Sequence, residues 1–173
     1  ADYEMEVFGC GPLVASSFDP DLQRELGEVV GIQALFVHLP ILWGPGLNTH
    51  RHPYNGRNGD YYSEDPVLCG VIAMEFSMGA LDYGLIAAPK HFAFNDQETN
   101  RNGIAPFMTE QRAREVELRA FQIAVEATKY DEIEGKDVGM RGLMCSFSKI
   151  GPVECTASRG LMTDILQNEW GFH

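Results

Sequence analysis

Short apolar runs alternate with segments of helical spacing four times along this 173-residue chain. The runs that predict strands cover residues 12–16, 39–43, 85–89 and 142–147. Each precedes a segment whose apolar residues recur every three to four positions, which is typical of an amphipathic helix. Because successive strand–helix units form parallel strands joined by helical crossovers, the pattern predicts an α/β fold, with residues 1–173 in one domain.

Residues that favour helix starts follow the predicted strands. Asp19, with Pro20 behind it, and Ser63, with acidic residues behind it, are predicted to be N-caps. A third helix is predicted to begin at residues 108–110, and a last one near Ser158. The charged residues 129–141 predict an excursion on the surface.

Charge and cysteine usage restrict the classes of partner. The 25 acidic and 13 basic residues give a net charge of −12, which argues against nucleic acid or an anionic membrane surface as partner. No apolar run approaches the roughly 18 residues of a membrane span, and no signal peptide opens the sequence. The four cysteines have no C-x-x-C pair, so we expect reduced thiols and favour a cytoplasmic location. They are Cys10, Cys69, Cys145 and Cys155.

Polar residues crowd into positions 90–101, directly after the predicted strand 85–89. Ligand sites of α/β proteins form just past the C-terminal ends of strands, so this segment is a candidate active-site floor. Lys90 and His91 are adjacent, and adjacent strand residues point to opposite faces. Both can reach one ligand only if the backbone departs from a regular strand, which predicts a strained, non-proline cis peptide near residues 90–92. The alternative is a Lys that extends to solvent beside a core His.

Arg57 lies in a glycine-rich loop, residues 56–60. A planar guanidinium can bind two neighbouring hydroxyl groups, which a Lys ammonium does less well. The alternative is an Arg that stabilises its loop by pairing with Asp60 or Glu64.

Two further groups of residues suggest other chemistries. Asp96 and Glu98 could be the carboxylate pair of a glycosidase, but a structural role with Arg101 and Arg112 is favoured. His50 and His52, with His91 as a conceivable third ligand, resemble the H-x-H of metal hydrolases. The Arg between the first two and the Pro after them make that ligand set awkward. Acyl transfer has no support, because the sequence contains no Gly-x-Ser-x-Gly motif.

Five segments, taken together and in order, resemble glycoside hydrolase family 3, the β-glucosidase-like retaining enzymes. They are residues 44–51, 56–66, 90–101, 143–150 and 161–172. The resemblance implies a (β/α)8 barrel with sugar bound at its C-terminal face, of which about four units would be present here.

The resemblance also implies roles for particular residues. Arg57, Lys90 and His91 match family residues that hydrogen-bond sugar hydroxyls in the −1 subsite. Phe147 stands where many members have Tyr, so an aromatic ring is kept near the sugar without the hydroxyl. No catalytic residue is assigned, because the family's nucleophilic Asp is expected beyond His173 and its acid/base later still. No metal or organic cofactor is implied.

The activity implied by the resemblance is hydrolysis of terminal, non-reducing β-D-glycosidic bonds with retention, with a carbohydrate as substrate. The chain by itself is expected to be nearly inactive. A partial barrel exposes two sheet edges, so we expect a homo-oligomer. Two alternatives stay open: a non-catalytic sugar-binding or structural fragment, and a metal-dependent TIM-barrel hydrolase that uses His50 and His52.

Overall fold

A computed structural model describes residues 8–95, 97–127 and 140–172. Its first part contains helices α1 (Gly11–Ala15), α2 (Pro20–Val37) and α3 (Pro66–Asp82) and strands β1 (Ile41–Leu42), β2 (Ile86–Ala87) and β3 (Lys90–Phe92). Its second part contains helices α4 (Glu110–Arg112) and α5 (Arg119–Ala127), joined by a π-helical stretch, Ala113–Glu117, and strands β4 (Met144–Cys145), β5 (Lys149–Ile150) and β6 (Val153–Glu154). Short 3-10 turns lie at Arg101–Gly103 and Cys155–Ala157, and a π-type helix, Gly160–Glu169, follows.

The strands that organise the fold are parallel. β1 pairs with β2, and β3 pairs with β4, each in parallel register. A parallel bridge between Gly46 and Lys90 continues the contact beyond β1, where the Leu47 N–H donates to the Lys90 carbonyl over 2.7 Å. Three chain segments, residues 41–47, 86–92 and 144–146, therefore lie side by side, and the predicted α/β class is confirmed. β5 and β6 form a separate antiparallel hairpin.

The first predicted strand, residues 12–16, is wrong, because this segment forms α1. Pro12 suits the first turn of a helix, where its missing N–H is not needed. The Ser16 hydroxyl then donates to the Pro12 carbonyl over 2.6 Å, which closes the turn. The other three predicted strands are present but contain fewer residues than predicted.

Aspartates cap the two long helices α2 and α3. The Asp19 prediction is confirmed, since its Oδ1 accepts from Asp21 N and Leu22 N at 3.1 and 3.2 Å. The second cap is Asp65 and not Ser63, because Pro66 occupies the first helical position and Asp65 Oδ1 accepts from the next two amides. The Ser63 hydroxyl instead accepts from Asp65 N over 3.0 Å, just before the helix.

The later helix starts agree with the sequence. Thr109 caps α4, with its hydroxyl accepting from Arg112 N over 3.2 Å. Ser158 precedes the last helix, and its hydroxyl accepts from Leu161 N over 3.4 Å. The sequence did not predict that π-helical turns follow these two starts. The Leu118 N–H donates to the Ala113 carbonyl, and the Trp170 N–H donates to the Ile165 carbonyl, each five residues back as in a π-helix.

The core lies between β3 and the helices. The ring of Phe92 packs edge-on against Phe121 and Trp170, with centroid distances of 5.3 and 6.0 Å. α2 and α3 cross closely through glycines: a Cβ on Gly79 would lie 2.1 Å from the Arg24 carbonyl oxygen. This packing holds β3 in place, so the residues that follow it have a rigid base.

The structure also bears on the predicted surface excursion, the cysteines and the absence of a membrane span. Of the predicted surface excursion, residues 128–139 lie outside the described residues. All four cysteines are free thiols, with Cys69 and Cys155 buried and Cys10 exposed. Among the helices of the described ranges, none is both long and apolar enough to cross a membrane.

Candidate active site

The candidate site forms where β3 ends. The Lys90–His91 and Phe92–Ala93 peptide bonds are both cis, so the predicted non-proline cis peptide is confirmed. Asn48 holds the backbone between them from both sides: its Oδ1 accepts from His91 N over 2.8 Å, and its Nδ2 donates to the His91 carbonyl over 3.1 Å. The loop after β1 thereby fixes the position of His91.

Arg57 reaches this point from the loop between β1 and α3. Its Nε donates to Asp60 Oδ2 over 2.7 Å, and its Nη2 pairs with the same oxygen. Its Nη1 lies 3.4 Å from His91 Nε2 and 3.6 Å from Glu98 Oε1. Arg57 therefore pairs with Asp60, as the loop-stabilising alternative predicted, and it also lies beside His91, the other residue implied to bind the sugar. One side of the guanidinium fork is anchored, and Nη1 points toward the histidine.

His91 is buried, at 3% exposure. Burial first, and then the positive charges of Arg57 and Lys90, lower the pKa of its imidazole to about 4. Its Nδ1 lies 3.1 Å from the Tyr61 hydroxyl, and the two rings meet edge-on. The imidazole is therefore a neutral hydrogen-bonding group in a fixed orientation.

Behind His91, polar contacts continue from buried to partly exposed side chains. Asn95 Nδ2 donates to the Tyr61 hydroxyl over 2.8 Å and to Glu98 Oε1 over 3.0 Å. Arg101 pairs with the other Glu98 oxygen over 2.9 Å. The favoured structural role of Glu98 with Arg101 is confirmed.

The other parts of that hypothesis have separate outcomes. Arg112 does not join Glu98, because its guanidinium pairs with the buried Glu117 over 2.8 Å. Asp96 lies outside the described residues. Asp60 and Glu98 are both paired with arginines, as expected for a structural role.

Lys90 and Phe147 complete the set of predicted residues. Lys90 is half-buried, and its charge acts on His91. Phe147 is 51% exposed, and the Arg101 guanidinium lies 4.8 Å from the centre of its ring. The structure therefore brings Arg57 and His91 into contact, places Lys90 beside them, and connects Phe147 through Arg101. Their role in binding sugar stays a prediction.

The three histidines proposed as metal ligands have different neighbours. His50 Nε2 lies 2.9 Å from the Tyr61 carbonyl oxygen, whereas His52 Nδ1 accepts from Tyr54 N. In the described ranges, no group of three or more His, Cys, Asp or Glu side chains is arranged to hold a metal ion. The metal-dependent alternative gains no support from this part of the chain.

Sequence reasoning missed Asn48, Tyr61 and Asn95. All three are buried; Asn48 and Tyr61 contact His91 directly, and Asn95 contacts Tyr61. A usable signal was present, because all three lie in the segments that carry the family resemblance. Buried polar side chains need partners, so such residues beside a candidate histidine are expected to orient it.

A separate cavity of about 330 Å³ lies next to the last helix. Its walls include Phe94, Met108, Leu118 and Ile165, and most of its lining is apolar. A sugar needs several hydrogen-bond partners, which the Arg57–His91 site offers and this cavity largely lacks.

The chain is similar to known sugar hydrolases. A family model described as the N-terminal domain of glycosyl hydrolase family 3 matches residues 11–173. A β-glucosidase from Ruminococcus albus is 38% identical over 162 residues, which cover 94% of this chain and 16% of that protein. A probable β-glucosidase J from Emericella nidulans is 33% identical, over 94% of this chain and 18% of that protein. The chain thus spans less than a fifth of the length of these two relatives.

Solved structures agree in fold. β-glucosidase 3B from Thermotoga neapolitana, in complex with glucose, has a TM-score of 0.88 and is 35% identical, covering 96% of this chain and 22% of that one. A β-glucosidase from Streptomyces venezuelae, in complex with D-glucose, has a TM-score of 0.89 and is 28% identical, covering 98% of this chain and 20% of that one. Similarity extends over almost all of the present chain.

Proposed function

Since the chain belongs to glycosyl hydrolase family 3, we propose that it supplies sugar-binding residues to a longer enzyme that hydrolyses terminal, non-reducing β-D-glycosidic bonds with retention. The observation that carries this proposal is the contact between Arg57 Nη1 and His91 Nε2, 3.4 Å apart at the end of a parallel strand. Ligands of α/β proteins bind at such strand ends.

The chemistry of the site favours an uncharged, hydroxyl-rich ligand. Arg57, Lys90 and His91 offer hydrogen bonds, while Asp60 and Glu98 neutralise much of the cationic charge. A phosphate would meet these carboxylates at close range, whereas a sugar hydroxyl can both donate and accept. Glucose fits this pattern, and it is the ligand named in the two solved relatives.

Each proposed binding residue has a distinct task. Arg57 is anchored by Asp60 and directs Nη1 toward one ring hydroxyl. His91 presents a neutral nitrogen beside it, and Lys90 adds an ammonium on a long side chain. Phe147, half exposed beside Arg101, offers an apolar face to the sugar ring.

The fold proposal is a partial (β/α)8 barrel of about four units. The three parallel segments, residues 41–47, 86–92 and 144–146, support it. The helical first unit, α1, departs from it.

Open sheet edges of such a piece favour association with a second copy, so we propose a homo-oligomer for the isolated chain. Light scattering that gives a monomer mass at tens of micromolar would contradict this.

No residue of this chain is proposed as nucleophile or general acid/base; a nucleophilic Asp beyond His173 would supply the covalent step. The test compares nitrophenol release from an aryl β-glucoside by the longer protein and by residues 1–173 alone. We expect hydrolysis by the longer protein and none by the chain alone. Hydrolysis by the chain alone would contradict this division of roles, and no hydrolysis by the longer protein would leave the non-catalytic sugar-binding alternative.

A further inference from the structure

The orientation of the Asn95 amide is determined by its neighbours. Its Nδ2 lies 3.0 Å from Glu98 Oε1, and Glu98 is also paired with Arg101. A carboxylate can only accept hydrogen bonds, so the amide nitrogen, and not the amide oxygen, must face it. The second hydrogen of the same nitrogen then points at the Tyr61 hydroxyl, 2.8 Å away.

This arrangement fixes the direction of the next hydrogen bond. The Tyr61 oxygen accepts from Asn95, so its own proton is available for His91 Nδ1, 3.1 Å away. Burial raises the pKa of Tyr61 to about 12, so the phenol keeps this proton. The chain of bonds therefore runs from Asn95 through Tyr61 to His91.

We propose that Tyr61, oriented by Asn95, is a positioning residue that holds His91 in the tautomer with Nδ1 unprotonated and Nε2 protonated. In the opposite tautomer, Nδ1–H and Asn95 would both donate to the Tyr61 oxygen. The Tyr61 proton would then have no acceptor among these three groups, although the side chain is fully buried. Buried donors without acceptors are strongly disfavoured. In the first tautomer Arg57 Nη1 loses His91 as an acceptor, but its side chain is 20% exposed and Nη1 also lies 3.6 Å from Glu98 Oε1, so this loss costs less than that of the fully buried Tyr61 proton. The first tautomer therefore prevails.

The tautomer determines whether the ligand atom bound by His91 must be a hydrogen-bond donor or an acceptor. With Nε2 protonated, His91 cannot accept from Arg57, and their 3.4 Å separation places two donors side by side. Both N–H groups then converge on one acceptor oxygen. This step rests on the proposed function, in which that acceptor is a hydroxyl oxygen of the sugar ring. The Asn95–Tyr61 pair would thus select for a ligand oxygen that accepts two hydrogen bonds.

Long-range proton–nitrogen NMR of the protein labelled with ¹⁵N-histidine at pH 7 tests this directly, with His91→Gln used to assign the signals. We expect an unprotonated Nδ1 and a protonated Nε2 for His91. Tyr61→Phe should move the His91 signals toward a mixture of tautomers. Tyr62→Phe is the matched control, because Tyr62 is also buried and adjacent in sequence but has no place in this chain of bonds; it should leave the tautomer unchanged.

A protonated Nδ1 in the unmodified protein would overturn the proposal, as would a Tyr61→Phe variant that folds and keeps the original tautomer. If Tyr61→Phe does not fold, Asn95→Ala provides the second variant, and an unchanged tautomer there also overturns it. Glucose should shift the Nε2 proton signal of the unmodified protein. The expected tautomer without a response to glucose would support the positioning role and contradict the proposed function, so the two failures are distinguishable.

Discussion

Arg57 Nη1 lies 3.4 Å from His91 Nε2, although 34 positions separate the two residues in the sequence. Asp60 anchors the guanidinium from one side, and Asn48 holds the His91 backbone from the other. The contact is therefore set by two independently fixed groups, and it defines the site from which the predictions follow.

Replacing Arg57 with Lys should weaken glucose binding. A Lys ammonium cannot pair with Asp60 through two nitrogens and also present a donor beside His91. Loss of one hydrogen bond from a charged group costs about 1.5–3 kcal/mol, or roughly 10- to 150-fold in affinity. Calorimetric titration with glucose measures the change. Arg24→Lys is the control, because Arg24 pairs with Asp82 on the surface; equal affinity in both variants would contradict the role of Arg57.

Arg112 and Arg114 should differ in their effect on stability. Arg112 neutralises Glu117, which is 1% exposed, whereas Arg114 pairs with the exposed Glu110 and Glu169. Arg112→Ala should lower the free energy of unfolding by about 2–3 kcal/mol, since it leaves a buried carboxylate with less compensation. Arg51, 3.9 Å away, keeps the loss from being larger.

Arg114→Ala should cost only about 1 kcal/mol or less, as for other surface ion pairs. Urea denaturation of both variants measures the difference. Equal losses would show that burial of Glu117 has no energetic consequence.

Gly79→Ala should destabilise the protein even though Ala favours helices. The added Cβ would lie 2.1 Å from the Arg24 carbonyl oxygen, so α2 and α3 would have to separate. Overpacking of this kind costs about 1–3 kcal/mol. Gly160→Ala is the control, because no atom of a more distant residue lies within 4 Å of the place that its Cβ would take. Thermal unfolding should show a lower midpoint for the first variant alone, and equal midpoints would rule out a close helix contact.

Stability should depend on pH through His91. Its pKa is about 4 in the folded protein, below the ordinary 6.5, so the unfolded chain binds more protons between these values. The free energy of unfolding should therefore rise from pH 4 to pH 6.5 and gain nothing further from this group above that. The gain is about 2 kcal/mol after allowance for screening by solvent. His91→Gln should remove this part of the pH dependence, whereas His52→Gln, at an exposed position, should keep it. Denaturation across the pH range measures both. An identical profile in all three proteins would contradict the lowered pKa of His91.

Much of the fold could be predicted from the sequence, because local signals agreed with the final packing. The Asp19 cap and the helix start at Thr109 follow directly from residue preferences at helix starts. Residues 12–16 could not be assigned correctly by their apolar character, since a short apolar run suits a strand or a helix equally. The choice of Asp65 over Ser63 depended on which residue directly preceded Pro66 at the first helical position.

The sequence predicted Arg57 and His91 as members of the candidate site, but not the residues that hold them in position. Arg57 lies in a glycine-rich loop and His91 directly follows a predicted strand, and both side chains are common ligand-binding groups at such positions. Tyr61 and Asn95 acquire their role only when the fold brings them within hydrogen-bond distance of each other, 34 residues apart. That contact depends on tertiary structure, which spacing along the chain does not reveal.

A crystal structure of the protein with glucose tests the central claim most directly. We predict a sugar hydroxyl oxygen within hydrogen-bond distance of both Arg57 Nη1 and His91 Nε2, with Phe147 beside the ring. Glucose bound instead in the apolar cavity lined by Phe94 and Ile165, or no sugar density at Arg57 and His91 at saturating glucose, would contradict it.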